Sequence, residues 1–237
     1  MKIPQKSIFS GIVKFTTIDD HDHLGAILFT GGCNFRCIYC HNPDFVFPNK
    51  IKFLEINEII NFLEKKKNLL ESITICGGEP TMHPSLIDWI KYIKSLGYRV
   101  KLDTNATNQI MLKKILNDKL VDFIAVDYKA PKNKYSNIIQ KNFDPNIIIE
   151  NLKLIINSKI DYEIRTTIHP DLHNENDIHT MIKELKNINI KSYFIQLFKM
   201  PPQTVGQIKD KNYDLSIIKK IEIKLKKNFL NSGIRNE

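Results

Sequence analysis

Short apolar runs alternate along the chain with longer segments in which apolar residues recur at helical spacing. After an edge strand or hairpin predicted at residues 8–18, the short runs predict strands at 26–30, 72–76, 99–104, 122–129, 161–168 and 192–198. The longer segments predict helices near 56–70, 84–96, 108–118, 146–158, 174–188 and 213–230. A strand and a helix in repeated alternation require parallel strands joined by right-handed crossovers.

The number of strand and helix units favours one architecture. Six units predict an α/β fold built as a partial (β/α)6 TIM-like barrel with a short N-terminal extension, because a closed TIM barrel has about eight units. An open doubly wound sheet is the alternative that the pattern allows. The length of 237 residues fits a single domain, 1–237, with a core at about 12–200 and a C-terminal loop and helix at 201–237.

Polar residues gather where the predicted strands end, and parallel β/α folds place their active sites at those ends. The first strand is followed by GGCNFRCIYCHN (31–42), and the second is followed by GGEP (77–80). The later strands contribute Asp103, Thr104 and Asn105, then Asp127 and Lys129, then Glu163, Arg165 and Thr167 at alternate positions, and finally Gln196. We therefore expect these side chains on one rim of the fold.

Three thiols stand within eight residues of one loop, as Cys33, Cys37 and Cys40. Their CxxxCxxC spacing offers three ligands without a fourth nearby, so a bound metal centre would keep one open position, which is typical of catalysis. A structural zinc site needs four protein ligands, and a ferredoxin-type carrier needs four thiolates per cluster, so a loop with three cysteines favours neither. Cys76 ends an apolar strand, where a small buried residue is the ordinary expectation.

Residues 31–42, which we call the cysteine loop, have Tyr39 directly before the last cysteine. This loop resembles the cluster-binding loop of the radical S-adenosylmethionine (SAM) superfamily. The resemblance implies that Cys33, Cys37 and Cys40 bind three irons of a [4Fe-4S] cluster, while the amino and carboxylate groups of SAM chelate the fourth iron. One electron would then split SAM into methionine and a 5′-deoxyadenosyl radical, which removes a hydrogen atom from the substrate. Such a radical must be shielded from water.

Within the superfamily, the segments GCNFRCIYCHN, GGEPTMHP, KLDTN, VDYKAP and EIRTT resemble the glycyl-radical-enzyme activases. The likeness covers roughly residues 10–200 and is greatest for the type that activates anaerobic ribonucleoside-triphosphate reductase. It implies a SAM site formed by Tyr39, Gly77, Gly78, Glu79, Asp103, Thr104, Asn105, Asp127, Lys129, Arg165 and Gln196. The glycines would allow close backbone approach, and Glu79 would serve either the SAM ammonium or the local fold of its loop.

Further expectations follow from the same resemblance. Carboxylates beside the anionic end of SAM would repel it, so Lys129 or a monovalent cation must offset Asp103 and Asp127. The protein substrate would be a glycyl-radical enzyme, and the electron donor would be reduced flavodoxin or ferredoxin. Two features depart from the activases. The turn at 20–23 lacks their Pro and Gly, and Gln196 stands where the pyruvate formate-lyase activases carry a histidine.

Composition excludes several classes of protein. The net charge of +9 comes from lysines spread along the chain, which indicates solvated helix faces rather than a nucleic-acid surface. No apolar run approaches twenty residues, so neither a membrane span nor a signal peptide is expected and a cytoplasmic location is predicted. His21 and His23 are expected in a solvated turn rather than at a metal.

Several alternatives keep part of this interpretation. The chain could activate another glycyl-radical enzyme, of the pyruvate formate-lyase type, or act on a small molecule, as deazaguanine-forming synthases do. A redox sensor or binding module with a structural cluster is a rival from another class. A nucleic-acid-binding protein with a lysine-rich surface is a further alternative, although aromatic residues are not interleaved with the lysines.

Overall fold

The structure of the protein is a computed structural model that describes residues 3–20 and 22–236. The strands are β1 (Phe9–Thr16), β2 (Gly25–Thr30), β3 (Ser72–Gly77), β4 (Arg99–Thr104), β5 (Phe123–Asp127), β6 (Asp161–Ile168), β7 (Ser192–Leu197) and β8 (Asn231–Asn236). The helices are α1 (Pro43–Val46), α2 (Ile56–Lys66), α3 (Leu86–Ser95), α4 (Gln109–Asn117), α5 (Tyr135–Ile139), α6 (Asn146–Asn157), α7 (Glu175–Lys186) and α8 (Leu215–Asn228).

The predicted alternation is confirmed, because β2 to β7 are the six expected strands and each is followed by helix. Polar side chains cap the starts of two helices. The Asn108 side chain accepts a hydrogen bond from the Met111 N–H at 3.1 Å, as an N-cap does. Asn174 and Asp177 form a capping box at the start of α7. None of the helices in the described part of the chain has the length and apolar character of a membrane span.

The chain forms two compact units and passes between them several times, including once within β5 and once within β6. The first unit comprises the chain up to residue 34, residues 44–125 and residues 158–161. In it β1 pairs antiparallel with β2, while β2, β3 and β4 are parallel neighbours. Ile73 and Ile75 on β3 are fully buried, as is Trp89 on α3. Strands this apolar are typical of parallel sheets that carry helices.

The second unit comprises residues 35–43, 126–157 and 162–237. Its strands β6, β7 and β8 are parallel, with Arg165 opposite Phe194 on β7 and Phe194 opposite Gly233 on β8. The sequence predicts only a loop and a helix after residue 200, so β8 corrects that expectation. Its sequence, NSGIRN, contains a single β-branched residue, and the strand forms because it pairs with β7.

The predicted turn before β2 is present, since the His23 N–H donates to the Asp20 carbonyl at 3.0 Å. His21 lies outside the described residues. Asp20, the first residue of this turn, is buried, where it accepts a hydrogen bond from Ser72 Oγ at 2.5 Å and pairs with Arg99 Nε at 3.0 Å. The turn is therefore tied to β3 and β4 through Asp20. The expectation of a single domain stays a prediction.

Candidate metal and cofactor site

In the first unit, the GGEP turn after β3 lies against the chain that leads into the cysteine loop. The Gly78 N–H donates to the Thr30 carbonyl at 2.8 Å, and the Glu79 N–H donates to the Gly32 carbonyl at 2.7 Å. A Cβ at Gly78 would lie 2.0 Å from the Gly32 carbonyl oxygen, and Gly77 has a φ of +108°. Both positions therefore require glycine for contact with the main chain, independently of any ligand.

Glu79 is buried, and residues of the first unit donate hydrogen bonds to both oxygens of its carboxylate. Oε1 accepts hydrogen bonds from the Thr81 N–H at 3.1 Å, from Thr81 Oγ1 at 2.5 Å and from Thr104 Oγ1 at 2.6 Å. Oε2 accepts from the Asn105 N–H at 2.7 Å. Burial raises the pKa of Glu79, and these four donors oppose the rise. Of the two roles that the sequence allows for Glu79, this geometry favours the local fold.

Asn105 extends this network to the residue after the first cysteine. Its Nδ2 donates to Asn34 Oδ1 at 2.8 Å, and Asn34 Nδ2 donates to Thr107 Oγ1 at 2.9 Å. Cys33 Sγ lies 3.9 Å from the same Asn34 Oδ1. Asn34 and Thr107 were not among the predicted site residues. The signal that could have found Asn34 is its place in the motif, directly after Cys33.

Asp103 does not join the Glu79 network, although the sequence groups it with Thr104 and Asn105. Successive residues of a strand point to opposite faces, so Asp103 and Thr104 diverge. Asp103 Oδ1 lies 3.7 Å from Nζ of Lys101, which is buried and donates to the Asp19 carbonyl. Asp103 therefore has a cationic neighbour on its own strand.

In the second unit, Asp127 at the end of β5 lies between two cations. Its carboxylate is 3.3 Å from Lys129 Nζ and 3.1 Å from Arg165 Nη2. Burial raises the pKa of Asp127, but Lys129 and Arg165 outweigh burial, and the pKa is lowered overall. Two fixed positive charges therefore surround one ionised carboxylate, which leaves this cluster with an excess positive charge.

The Lys129 side chain is largely buried, and it lies beside the cysteine loop. Its Nζ is 5.9 Å from the centroid of the buried Tyr39 ring. Burial alone would lower the pKa of Lys129, but the neighbouring Asp127 raises it well above its usual value, so the side chain is an ammonium. The main-chain carbonyl of Lys129 accepts a hydrogen bond from His173 Nε2 at 2.9 Å. The site thus presents a fixed cation next to Tyr39.

An arginine on the unpredicted strand β8 completes this charge network. Arg235 donates to both carboxylate oxygens of the buried Glu163, at 3.2 and 2.9 Å. The guanidinium carbon of Arg235 lies 3.7 Å from the centroid of the Phe194 ring. Arg165 Nη1 is 3.9 Å from Glu163, so the network continues to Asp127. The sequence could not reveal Arg235, because its role depends on the pairing of β8 with β7.

The three cysteines of the loop are divided between the units, with Cys33 in the first and Cys37 and Cys40 in the second. None of the three forms a disulfide. Burial raises the pKa of Cys37 to about 11, and Lys129 acts in the opposite direction. Burial also raises the pKa of Cys40. Thiolates are the protein ligands of iron-sulfur clusters, so the three side chains have the chemistry that such a cluster needs, and Lys129 favours the ionised form of Cys37.

The cluster ligands and the SAM contacts that the sequence suggests remain predictions. Among the residues that the structure describes, no three His, Cys, Asp or Glu side chains form a group that could hold a metal ion, and the ligand role of the three cysteines stays a prediction. Gln196 Oε1 on β7 lies 3.5 Å from Thr167 Oγ1 on β6, and its contact with SAM stays a prediction. Cys76, which was expected to be buried, is half-buried near the end of β3 and forms no disulfide.

Comparison with known proteins defines the class. The model of the Radical SAM superfamily matches residues 27–185. SuiB of Streptococcus suis, in a crystal structure with bound SAM, shares the fold with a TM-score of 0.68 over 87% of this chain, at 14% identity. The present chain spans 48% of the SuiB chain. The chain thus belongs to the Radical SAM superfamily, and the predicted α/β fold class is confirmed.

Two relatives define the place of the chain within this superfamily. A Methanocaldococcus jannaschii protein whose name assigns it as a glycyl-radical enzyme activating enzyme is 33% identical over 199 residues, 82% of this chain and 81% of that protein. The pyruvate formate-lyase-activating enzyme of Staphylococcus epidermidis is 30% identical over 160 residues, 65% of this chain and 55% of that enzyme. The protein is a radical SAM enzyme that groups with the activating enzymes, and this family implies a [4Fe-4S] cluster and SAM as cofactors.

Proposed function

We propose that this protein uses a [4Fe-4S] cluster held by Cys33, Cys37 and Cys40 to cleave SAM reductively, and that it generates a glycyl radical on anaerobic ribonucleoside-triphosphate reductase. The observation that carries the proposal is the ion cluster of Asp127, Lys129 and Arg165, which lies beside Tyr39 in the cysteine loop. The cluster and SAM together supply the one-electron chemistry that yields the radical. The chain supplies ligands, fixed charges and a rigid frame.

The fixed charges suit the carboxylate of SAM. With Arg235 and Glu163 included, three cationic side chains face the two carboxylates of the network, and the excess positive charge beside Asp127 would attract an anionic group. Lys129 and Arg165 already supply the charge that the resemblance assigns to a monovalent cation, so the proposal does not require that ion. The Glu79 hydrogen bonds would hold the GGEP turn rigid, so that its main chain meets SAM in one conformation.

The proposed protein substrate is inferred from the resemblance and the relatives, and the proposed electron donor from the net charge of the chain. The motifs of the cysteine loop and the strand ends most resemble the activases of anaerobic ribonucleoside-triphosphate reductase. The identity to the Staphylococcus epidermidis enzyme favours a second candidate substrate, pyruvate formate-lyase. The net charge of +9 suits an acidic electron donor, reduced flavodoxin or ferredoxin, in the cytoplasm.

Product analysis tests the reaction. Protein reconstituted anaerobically with iron and sulfide and reduced by dithionite is expected to convert SAM to 5′-deoxyadenosine and methionine. Electron paramagnetic resonance should then show a glycyl radical on co-incubated anaerobic ribonucleoside-triphosphate reductase. If no 5′-deoxyadenosine forms, the proposed radical function is wrong. A radical on pyruvate formate-lyase alone would assign the second candidate substrate, and 5′-deoxyadenosine without a radical on either protein would favour a small-molecule substrate.

Lys129→Met tests the proposed SAM site. The change removes one ammonium and keeps much of the side-chain volume, so SAM affinity should fall about 10- to 100-fold, the range expected for one charge-assisted hydrogen bond. Equilibrium dialysis of the reconstituted protein with labelled SAM measures this loss. Lys132→Met is the matched control, because Lys132 is exposed and stands only three residues away. Equal affinities of the two variants would exclude Lys129 from SAM binding.

A further inference from the structure

Residues 199–214, which join β7 to α8, lie across the turn that carries Cys37 and Cys40, and we call this segment the strap. The Val205 N–H donates to the Cys40 carbonyl at 3.1 Å, and the Gly206 N–H donates to the Ile38 carbonyl at 2.8 Å. The strap therefore contacts the main chain of the cysteine loop on both sides of Tyr39. It lies beyond residues 27–185, the part of the chain that matches the superfamily model.

Gly206 is the point of closest contact. A Cβ at this position would lie 2.4 Å from Ile38 Cγ2, 2.9 Å from the Ile38 carbonyl oxygen and 3.0 Å from Ile38 Cα. Two of these atoms belong to the main chain, so a side chain at 206 would force the strap away from the loop. Thr204, which is buried, holds the local turn, because its Oγ1 accepts from the Ile208 N–H at 3.2 Å.

Two buried histidines anchor the other end of the strap. His169 Nε2 lies 2.9 Å from the Lys209 carbonyl, and the Tyr213 hydroxyl donates to the His173 carbonyl at 2.6 Å. Both histidine side chains are fully buried after β6. His173 also bonds the Lys129 carbonyl, so the anchor of the strap reaches the ion cluster. The strap is thus fixed at the cysteine loop and at a rigid base.

We propose that the strap positions Cys37 and Cys40 for cluster binding and that Gly206 is its positioning residue. The inference rests on the proposed function for the identity of the bound group, whereas the contact itself is a property of the chain. A loop whose ligands are already ordered needs less ordering when it binds, so the strap should favour uptake and retention of the cluster. Loss of the strap contact should free Cys37 and Cys40 and leave other thiols unchanged.

Gly206→Ala tests this role in the metal-free protein. Short pulses of N-ethylmaleimide, followed by peptide mass spectrometry, measure the alkylation rate of each cysteine separately. In the variant, Cys37 and Cys40 should react about tenfold faster than in the wild type, because local opening exposes them. Cys33 and Cys76 should keep their rates. Neither SAM nor activity enters this measurement, so it can succeed even where the proposed reaction fails.

Gly233→Ala is the matched control, because a Cβ there meets only two ring carbons of Phe194, each at 3.8 Å, which is ordinary packing. Equal acceleration at all four cysteines, or none, would overturn the proposal. If Gly206→Ala does not fold, Tyr213→Phe takes its place, with a selective increase of about threefold expected from the loss of one hydrogen bond. An unchanged alkylation pattern in Tyr213→Phe would then overturn the proposal.

Cluster retention gives a second readout. In the reconstituted Gly206→Ala protein, the visible absorption of the cluster should bleach several-fold faster in the presence of a chelator, whereas Gly233→Ala should match the wild type. A wild-type protein that takes up no cluster would refute the proposed function and leave the thiol result intact. If the cluster in Gly206→Ala bleaches at the normal rate and alkylation is unselective, the proposed role of the strap is wrong, while the proposed function is unaffected.

Discussion

Serine at Cys33, Cys37 or Cys40 is expected to abolish SAM cleavage while the protein stays folded. A serine hydroxyl differs from a thiol by one atom, so packing changes little. It remains protonated near neutral pH and is a poor, hard ligand for iron in place of a thiolate. Because the proposed site offers only three ligands, the loss of one should lower 5′-deoxyadenosine formation at least about 100-fold, more than the loss of a supporting residue around a metal would.

Iron and sulfide analysis and the yield of 5′-deoxyadenosine measure this effect, and circular dichroism reports folding. Cys76→Ser is the matched control, because Cys76 is the one cysteine of the sequence outside the loop and is half-buried at the end of β3. That variant should bind iron and cleave SAM like the wild type. If a loop variant keeps full iron content and activity, the cysteine that it replaces is not a cluster ligand.

The second large effect is expected on stability. Glu79→Ala removes the acceptor of four hydrogen bonds, from Thr81, Thr104 and Asn105, at a buried position. Each buried donor left without a partner costs about 1–3 kcal/mol, so the free energy of unfolding should fall by at least about 3 kcal/mol. Glu79→Gln keeps one carbonyl oxygen but turns an NH2 group toward at least one N–H or O–H donor, so a loss of about 1–3 kcal/mol is expected.

Urea unfolding of the metal-free protein without SAM measures both losses. Glu150→Gln is the control, because Glu150 is 58% exposed and forms only a surface pair with Lys153, which contributes about 0–1 kcal/mol. If Glu79 served SAM alone, its variants would unfold like the wild type in the absence of SAM and lose only SAM affinity. A loss of stability without SAM would identify Glu79 as the residue that fastens the GGEP turn to the end of β4.

Local signals made much of this protein predictable. Helical and strand periodicity act within a few residues, so the six strand and helix units and the fold class could be predicted from the sequence. The spacing of Cys33, Cys37 and Cys40 is equally local, because three thiols within one loop need no knowledge of the rest of the fold. The parallel topology then indicated which end of each strand carries polar chemistry.

Contacts between distant parts of the chain decided the rest. Glu79 meets Asn105 across 26 positions of sequence, and Arg235 meets Glu163 across 72. Strand β8 has weak intrinsic preference and exists through its pairing with β7, and the strap is defined by where residue 206 meets residue 38. Alternation along β4 placed Asp103 beside Lys101 rather than beside Glu79.

The sequence by itself determined the class of fold and the cysteine loop, because periodicity and ligand spacing are short-range properties of the chain. Only the tertiary structure decided which polar residues are saturated within the protein, as Glu79 is, and which form a cluster with excess charge, as Asp127, Lys129 and Arg165 do. The physical reason is that burial and charge compensation depend on partners that the chain brings together from far apart.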